Sequence, residues 1–265
     1  QFIGAQSGDD VVLTAGATMS LNLIAQCWAM PRLQAGDEIL ISIAEHHANI
    51  VPWQMVAEKT GAVLRAFPVD EDGSFNLGAF NDMMSSRTRI VSIPHVSNVL
   101  GTVFPVAEIS RIAHDANALL VVDGCQGAIH MAVDVKALGA DFYVFSAHKL
   151  YGPNGVGILW GKTDLLAEMP PFLGGGDMID RVTVEKSTYA LPPQRFEAGT
   201  PAIAETVALG AAVDYVQAIG MDAIRQHEED VLSYAHQRLS AVDGLRLIGT
   251  AAGKSGVVSF TMDCA

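Results

Sequence analysis

The sequence predicts an α/β fold: a mostly parallel central sheet with flanking helices, followed by the start of a smaller α+β domain. Three observations carry this. Apolar strand-like runs alternate with longer helical stretches along the 265 residues, the pattern of strands joined by crossovers. Half of the residues are hydrophobic and only 17% are charged, which is apolar mass enough for one large core and part of another. Residues able to do chemistry follow the apolar runs again and again, and open α/β sheets bind ligands outside the carboxyl ends of their strands.

Taken in order, Val11–Thr14 reads as a strand, and Gly16 and Ala17 then turn into a helix that runs to about Met30. Glu38–Ser42 is a strand and Ile50–Thr60 a helix; Val63–Phe67 is a strand that leads into a turn at Asp70–Gly73. Arg89–Ile93 is a strand, Val106–Asn117 a helix, and Ala118–Asp123, Phe142–Phe145 and Gly155–Trp160 are further strands. The stretch Leu173–Thr200 carries Gly174-Gly-Gly176 and Pro192-Pro193 and has no sustained period, so it reads as a long functional crossing. Helices follow at Ala202–Ile219, stopped by Gly220, and at Met221–Leu239. Leu245–Ile248 and Gly256–Phe260 read as two strands of a second unit. The expected division is 1–200 for the large domain, 201–240 for connecting helices and 241–265 for the beginning of the small domain.

A net charge of −13 argues against nucleic acid as a partner and against a surface held to anionic lipid. The three cysteines, Cys27, Cys125 and Cys264, form no CxxC pair. No disulfide framework or zinc site is therefore expected, and a reducing cytoplasm fits. No apolar run approaches the roughly 20 residues of a membrane span. Both ends, Gln1 and the strand-like Phe260–Ala265, read as internal to a longer product.

The candidate chemistry centres on Lys149, which stands between an apolar strand and the Gly/Pro-rich loop that begins at Gly152-Pro153. A lysine there either snorkels to solvent or takes part in chemistry. Ser146 and His148 flank it and can bond an anion. Asp123 closes another apolar strand, where a buried carboxylate needs a cationic partner unless it serves only as a helix cap. An amine able to form a Schiff base and an acid able to hold a pyridinium nitrogen make a candidate pyridoxal 5′-phosphate (PLP) site. Gln126, three residues on, can reach the cofactor phenolate. The backbone of Ala17 and Thr18, with the Thr18 hydroxyl, would face an anion at a helix N-terminus; the same Gly-Ala-Thr is also an ordinary cap. His46 can stack on a cofactor ring and carry a proton, while His47, adjacent in an extended segment, points the other way. Asn98 can donate to a phenolate or a substrate carboxylate, or simply form a turn.

At this point long segments resemble a known family. Glu45-His-His-Ala-Asn-Ile-Val-Pro-Trp-Gln54, His95–Thr102, Val122–Gln126, Phe142–Gly157 and Arg195–Pro201 are similar to the Suf-type cysteine desulfurases, in the class V aminotransferase-like branch of fold-type I PLP enzymes. The resemblance runs over nearly the whole chain. It implies a Schiff base on Lys149, Asp123 on the pyridine nitrogen, and His46 stacked on the ring. It puts Gln126 and Asn98 on the phenolate or substrate side and Thr18, Ser146 and His148 on the phosphate. Thr200 would reach the phosphate of a neighbouring subunit, so a homodimer is implied. Ala15, Met19, Cys125 and Ala147 depart from the family's usual residues. The family's Arg-x-Gly-x-His-Cys-Ala motif, with its persulfide-forming cysteine, does not occur in these residues, nor does the arginine that clamps the substrate carboxylate.

The implied reaction converts L-cysteine to L-alanine and passes sulfur to an enzyme persulfide and on to an acceptor protein. Other class V activities, such as a selenocysteine lyase, or a non-catalytic PLP-binding fragment, remain alternatives. Cys264 follows Asp263, which would raise its pKa, and is not expected to carry the persulfide. The fragment itself is thus expected to bind PLP without releasing sulfur.

Overall fold

The computed structural model describes residues 1–263. Its centre is a seven-stranded sheet in the order β1-β7-β6-β5-β4-β2-β3. The strands are β1 (Val11–Thr14), β2 (Glu38–Ser42), β3 (Val63–Phe67), β4 (Thr88–Pro94), β5 (Leu119–Asp123), β6 (Phe142–Ser146) and β7 (Gly157–Gly161). β7 pairs antiparallel with both neighbours and the other pairings are parallel. Six strands therefore end at one edge of the sheet, where only β7 begins. Every residue of β2, β5, β6 and β7 is buried, as strands covered on both faces require.

Helices α1 (Ala17–Leu23), α2 (Val51–Thr60), α3 (Leu77–Met83), α4 (Val106–Asp115), α5 (Gly127–His130) and α6 (Thr163–Glu168) lie between or after the strands. α1 continues as a π-helical segment, Ile24–Ala29, and the Met30 N–H donates to the Ala25 carbonyl at 2.9 Å. The helix expected to reach Met30 is thus continuous, with a widened second half. α2 takes Pro52 in its first turn and ends at Gly61 in the left-handed region (φ 76°), the Pro-in, Gly-out arrangement. The core is built from the sheet and these helices, with Trp53, Tyr143, Phe67, Phe80 and Phe142 among its largest buried side chains.

Beyond the sheet, α7 (Ile203–Ile219) and α8 (Met221–Leu239) are separated by Gly220 and bend by 74° at that break. Among the described residues no single helix is long and apolar enough to cross a membrane. Two small antiparallel sheets complete the chain: β8 (Ile179–Val182) with β9 (Ser187–Tyr189), and β10 (Leu245–Ile248) with β11 (Ser259–Met262).

The structure corrects several expectations. The final strand is Ser259–Met262 rather than Gly256–Phe260, because residues before it pack against the 97–101 turn. There the Ser255 N–H donates to the Gly101 carbonyl at 2.8 Å. β7 begins at Gly157, not Gly155, which lies in the turn (φ 82°). The supposedly irregular stretch Leu173–Thr200 contains the β8–β9 hairpin, and α3, α5 and α6 were not anticipated; four to seven residues are too few to display a period.

Candidate active site

The sequence-selected residues lie at or just beyond the edge where six strands end. Thr14, Gly157 and Ser146 are in register across β1, β7 and β6, and Asp123 stands opposite Pro94 and Val144.

Gly16 makes the turn from β1 into α1 with φ 145°, a conformation open to glycine alone at low cost. Its backbone lies so close to β7 that a Cβ on Gly157 would meet the Gly16 Cα at 2.4 Å. This approach brings α1 against the end of β6, where the Ala17 N–H donates to Ser146 Oγ at 2.9 Å. Two of the expected phosphate-binding groups are thus bonded to each other, which leaves the Ser146 hydroxyl hydrogen free to point elsewhere. Thr18 is exposed one residue into the helix, and its carbonyl accepts from Asn22.

After β6 the chain makes a 3-10 turn, Ala147–Leu150, closed by Tyr151 in the left-handed region (φ 57°). That is an uncommon conformation for a residue other than glycine. His148 on this turn is exposed and Lys149 half-buried. Lys149 forms no ion pair or side-chain hydrogen bond among the described residues.

Asp123 is buried, and its Oδ1 accepts the Cys125 N–H at 2.9 Å. Its other oxygen has no protein hydrogen-bond partner among the described residues. Asp123 thus closes a local turn through one oxygen and caps no helix, since α5 begins at Gly127 behind Gln126; its second oxygen is unassigned. Cys125 lies between the two charges: burial first, then the Asp123 carboxylate, push its thiol up, and Lys149 opposes them.

Gln126 is half-buried, and its side chain lies 3.1 Å from His130 Nε2. Asn98 is half-buried on the 97–101 turn. Ser97 holds that turn: its Oγ accepts from the Leu100 N–H and donates to the Ala44 carbonyl beyond β2. His46 is exposed and caps a short 3-10 turn, its Nδ1 accepting the Ala48 N–H at 3.1 Å; a neutral ring therefore carries its hydrogen on Nε2. The rings of His46 and His47 are 5.9 Å apart. Thr200 makes no side-chain hydrogen bond among the described residues. It borders a cleft of about 200 Å³ together with Thr14, Ala15, Met19 and Gly155.

Sequence reasoning missed the buried polar layer behind these residues. Glu45 is buried; its Oε2 accepts from Asn49 Nδ2 at 2.8 Å and its Oε1 has no partner. Asn49 Oδ1 in turn accepts from Trp53 Nε1 at 2.9 Å and Ser92 Oγ at 2.6 Å. Burial, with the Asp123 charge adding to it, holds the Glu45 carboxyl well above the usual carboxylate range. His95 Nδ1 lies 3.0 Å from the Tyr143 hydroxyl. Burial drives the His95 pKa down to about 4 and the Tyr143 pKa up, so a neutral phenol and a neutral ring share this bond. The sequence signal was available: Glu45, Asn49 and His95 all stand inside the segments that carry the resemblance.

Comparison with known proteins follows the same lines. Residues 1–265 match the family described as Aminotransferase class-V. A probable cysteine desulfurase of Vibrio cholerae is 49% identical over 263 residues, 99% of this chain and 65% of that protein. The crystal structure of the cysteine desulfurase CsdA from Escherichia coli superimposes with a TM-score of 0.94 at 38% identity, covering 99% of this chain and 65% of that one. A C-DES mutant with glycine covalently linked to its PLP cofactor aligns with a TM-score of 0.87 at 27% identity, over 97% of this chain and 68% of that one. The chain spans between 38% and 65% of the length of the curated relatives it matches most strongly.

Proposed function

The chain belongs to the class-V aminotransferase family, and from that premise we propose that it forms the PLP-holding part of a cysteine desulfurase. The observation that carries the reading is a pair of opposite charges that do not pair with each other. Asp123 is buried with one oxygen lacking a partner, and Lys149 is half-buried at the end of the next strand without a carboxylate. A buried carboxylate without a counter-charge is costly. A cationic ring nitrogen on the one side and an aldehyde carbon on the other would use both groups.

The residues fit the cofactor. Lys149 supplies the only primary amine among the candidates and would hold the aldehyde. Asp123 would keep the ring nitrogen protonated. The Ser146 hydroxyl and Thr18 stand at the N-terminal end of the α1 helix, where a phosphate is favoured, and His148, on the turn after β6, would join them. His46 would lie against the ring, and Gln126 and Asn98 would address its oxygen or the substrate. When bound, PLP supplies an electron-withdrawing ring that eases bond breaking at a substrate α-carbon. Lys149 Nζ then takes and returns the α-proton, and His46 Nε2 exchanges a proton with the reacting groups. The substrate of this reading is L-cysteine, the product L-alanine, and the sulfur passes to a cysteine outside the described residues and on to an acceptor protein.

Neither described cysteine suits the persulfide. Cys27 is buried and its pKa is pushed up to about 11, and Cys125 is buried with its thiol pushed up further; a thiolate is the nucleophile. Cys264 lies outside the described residues. We assign the reaction to the cytoplasm. The working unit is a homodimer in which Thr200 reaches the neighbouring subunit's phosphate site. We also take 1–200, 201–240 and 241–265 as large domain, connecting helices and start of the small domain.

The test is to load the purified chain with PLP, reduce with borohydride and map the modified peptide. A single adduct on Lys149, absent from Lys149→Ala, supports the reading. An adduct that persists in Lys149→Ala, or no binding, rejects it.

A further inference from the structure

His130 is on α5, one turn beyond Gln126, with its side chain 12% exposed. Its Nδ1 lies 2.9 and 2.8 Å from the carboxylate oxygens of Glu228 on α8. A carboxylate only accepts, so Nδ1 carries a hydrogen. Its Nε2 lies 3.1 Å from the Gln126 amide, and two bonding states satisfy that contact. With hydrogen on Nε2 the ring is an imidazolium, the Gln126 carbonyl accepts, and the Gln126 NH₂ is turned outward. With Nε2 bare the NH₂ must donate to it, and the carbonyl is turned outward. The geometry has Oε1 against Nε2, which is the first state.

We infer that His130, clamped by Glu228, is a positioning residue that sets which end of the Gln126 amide faces the cofactor. With the NH₂ outward, Gln126 offers a donor suited to the phenolate oxygen of PLP. With the carbonyl outward it sets an acceptor against that oxygen, so loss of one proton from His130 reverses the polarity of the contact. The device also ties α8 to the sheet edge, because Glu228 is its anchor. Other charges are near: Arg225 and Glu229 on α8 and Lys254 on the 249–256 loop border the same cavity as His130 and Glu228. The turn bearing His148 and Lys149 packs against α5, and Asp123 ends the strand that leads into it. Among the described residues only Glu228 and Gln126 bond the ring.

This inference rests on Gln126 facing PLP as proposed above, so two experiments separate them. In the first, the cofactor-free chain is labelled with ¹⁵N-histidine and the His130 resonances are assigned with His130→Gln. Imidazolium shifts on both nitrogens are expected in the wild type, with the Nδ1 signal altered in Glu228→Gln. A neutral Nδ1–H ring at neutral pH, or no response to Glu228→Gln, overturns the clamp. In the second, the visible band of the PLP-loaded chain is followed against pH. The wild type should change at the pH where His130 loses its proton, and His130→Gln should lose that transition while keeping the borohydride-trapped Lys149 adduct. Superimposable profiles overturn the positioning role and leave the proposed function standing. A wild-type chain that binds no PLP removes both.

Discussion

At the scale of single residues, the candidate site is a set of charges and orphaned atoms. Glu45 shows it most directly, being a buried carboxyl with one satisfied oxygen and one unpartnered one. Its folded pKa is raised above the ordinary 4.5. Below that value both the folded and unfolded chains carry it protonated. As pH rises further the unfolded chain ionises first, so the wild type loses stability up to the folded pKa. Glu45→Gln keeps an acceptor for Asn49 and cannot ionise. Its stability relative to wild type should therefore be unchanged near pH 4 and grow steadily above it, as urea unfolding at several pH values would measure. A constant difference would show that Glu45 ionises normally. Asp123→Asn tests the unpaired-charge argument. The amide still accepts the Cys125 N–H, so the cofactor-free chain should not lose stability, while PLP affinity falls. α-Proton exchange of a bound amino acid should fall at least roughly 100-fold, about 2.7 kcal/mol. Wild-type exchange in deuterium would remove Asp123 from its role.

At the scale of elements, the site depends on how closely α1 can approach β7 and β6. That approach is set by Gly157, where a side chain would run into the Gly16 backbone, and by Gly16, whose φ of 145° favours glycine. Gly157→Ala must push α1 away and break the Ala17–Ser146 bond. Overpacking of this kind costs roughly 1–3 kcal/mol, and phosphate affinity should drop with it. Denaturation and inorganic-phosphate competition against PLP would measure the two effects; unchanged phosphate affinity would detach the turn from the anion site. The strands and long helices at this scale were legible because their apolar runs are long and unbroken. α5 was not, although it carries His130 and follows Gln126, because its four residues read as part of a loop. The β8–β9 hairpin escaped for the same reason, with strands of four and three residues that are mostly exposed.

At the scale of the whole molecule, α7 is apolar around much of its surface yet buries only Leu209, Ala212 and Val216. Ile203 and Val207 on it are 62% and 71% exposed, and Tyr215 packs edge-to-face on the exposed Tyr151 beyond the Lys149 turn, with ring centroids 6.4 Å apart. Apolar groups gathered on one element mark an interaction surface, and this one joins the Lys149 turn and the segment of Thr200. The chain should sediment as a dimer, and Val207→Lys should shift it to monomer and weaken PLP binding. A wild-type monomer with full PLP affinity would exclude a second subunit from the site.

The sequence by itself determined the parallel-sheet class and singled out the carboxyl edge, with Lys149 and Asp123, as the candidate place of chemistry. These follow from local patterns, since strand runs and the polar residues that end them are adjacent in the chain. Which groups bond which was decided only by the tertiary structure. Asn49 meets Ser92, Ser146 meets Ala17, and Glu228 meets Gln126 through His130 across tens of residues or more. Such contacts depend on sheet order and crossover packing, which no local pattern encodes.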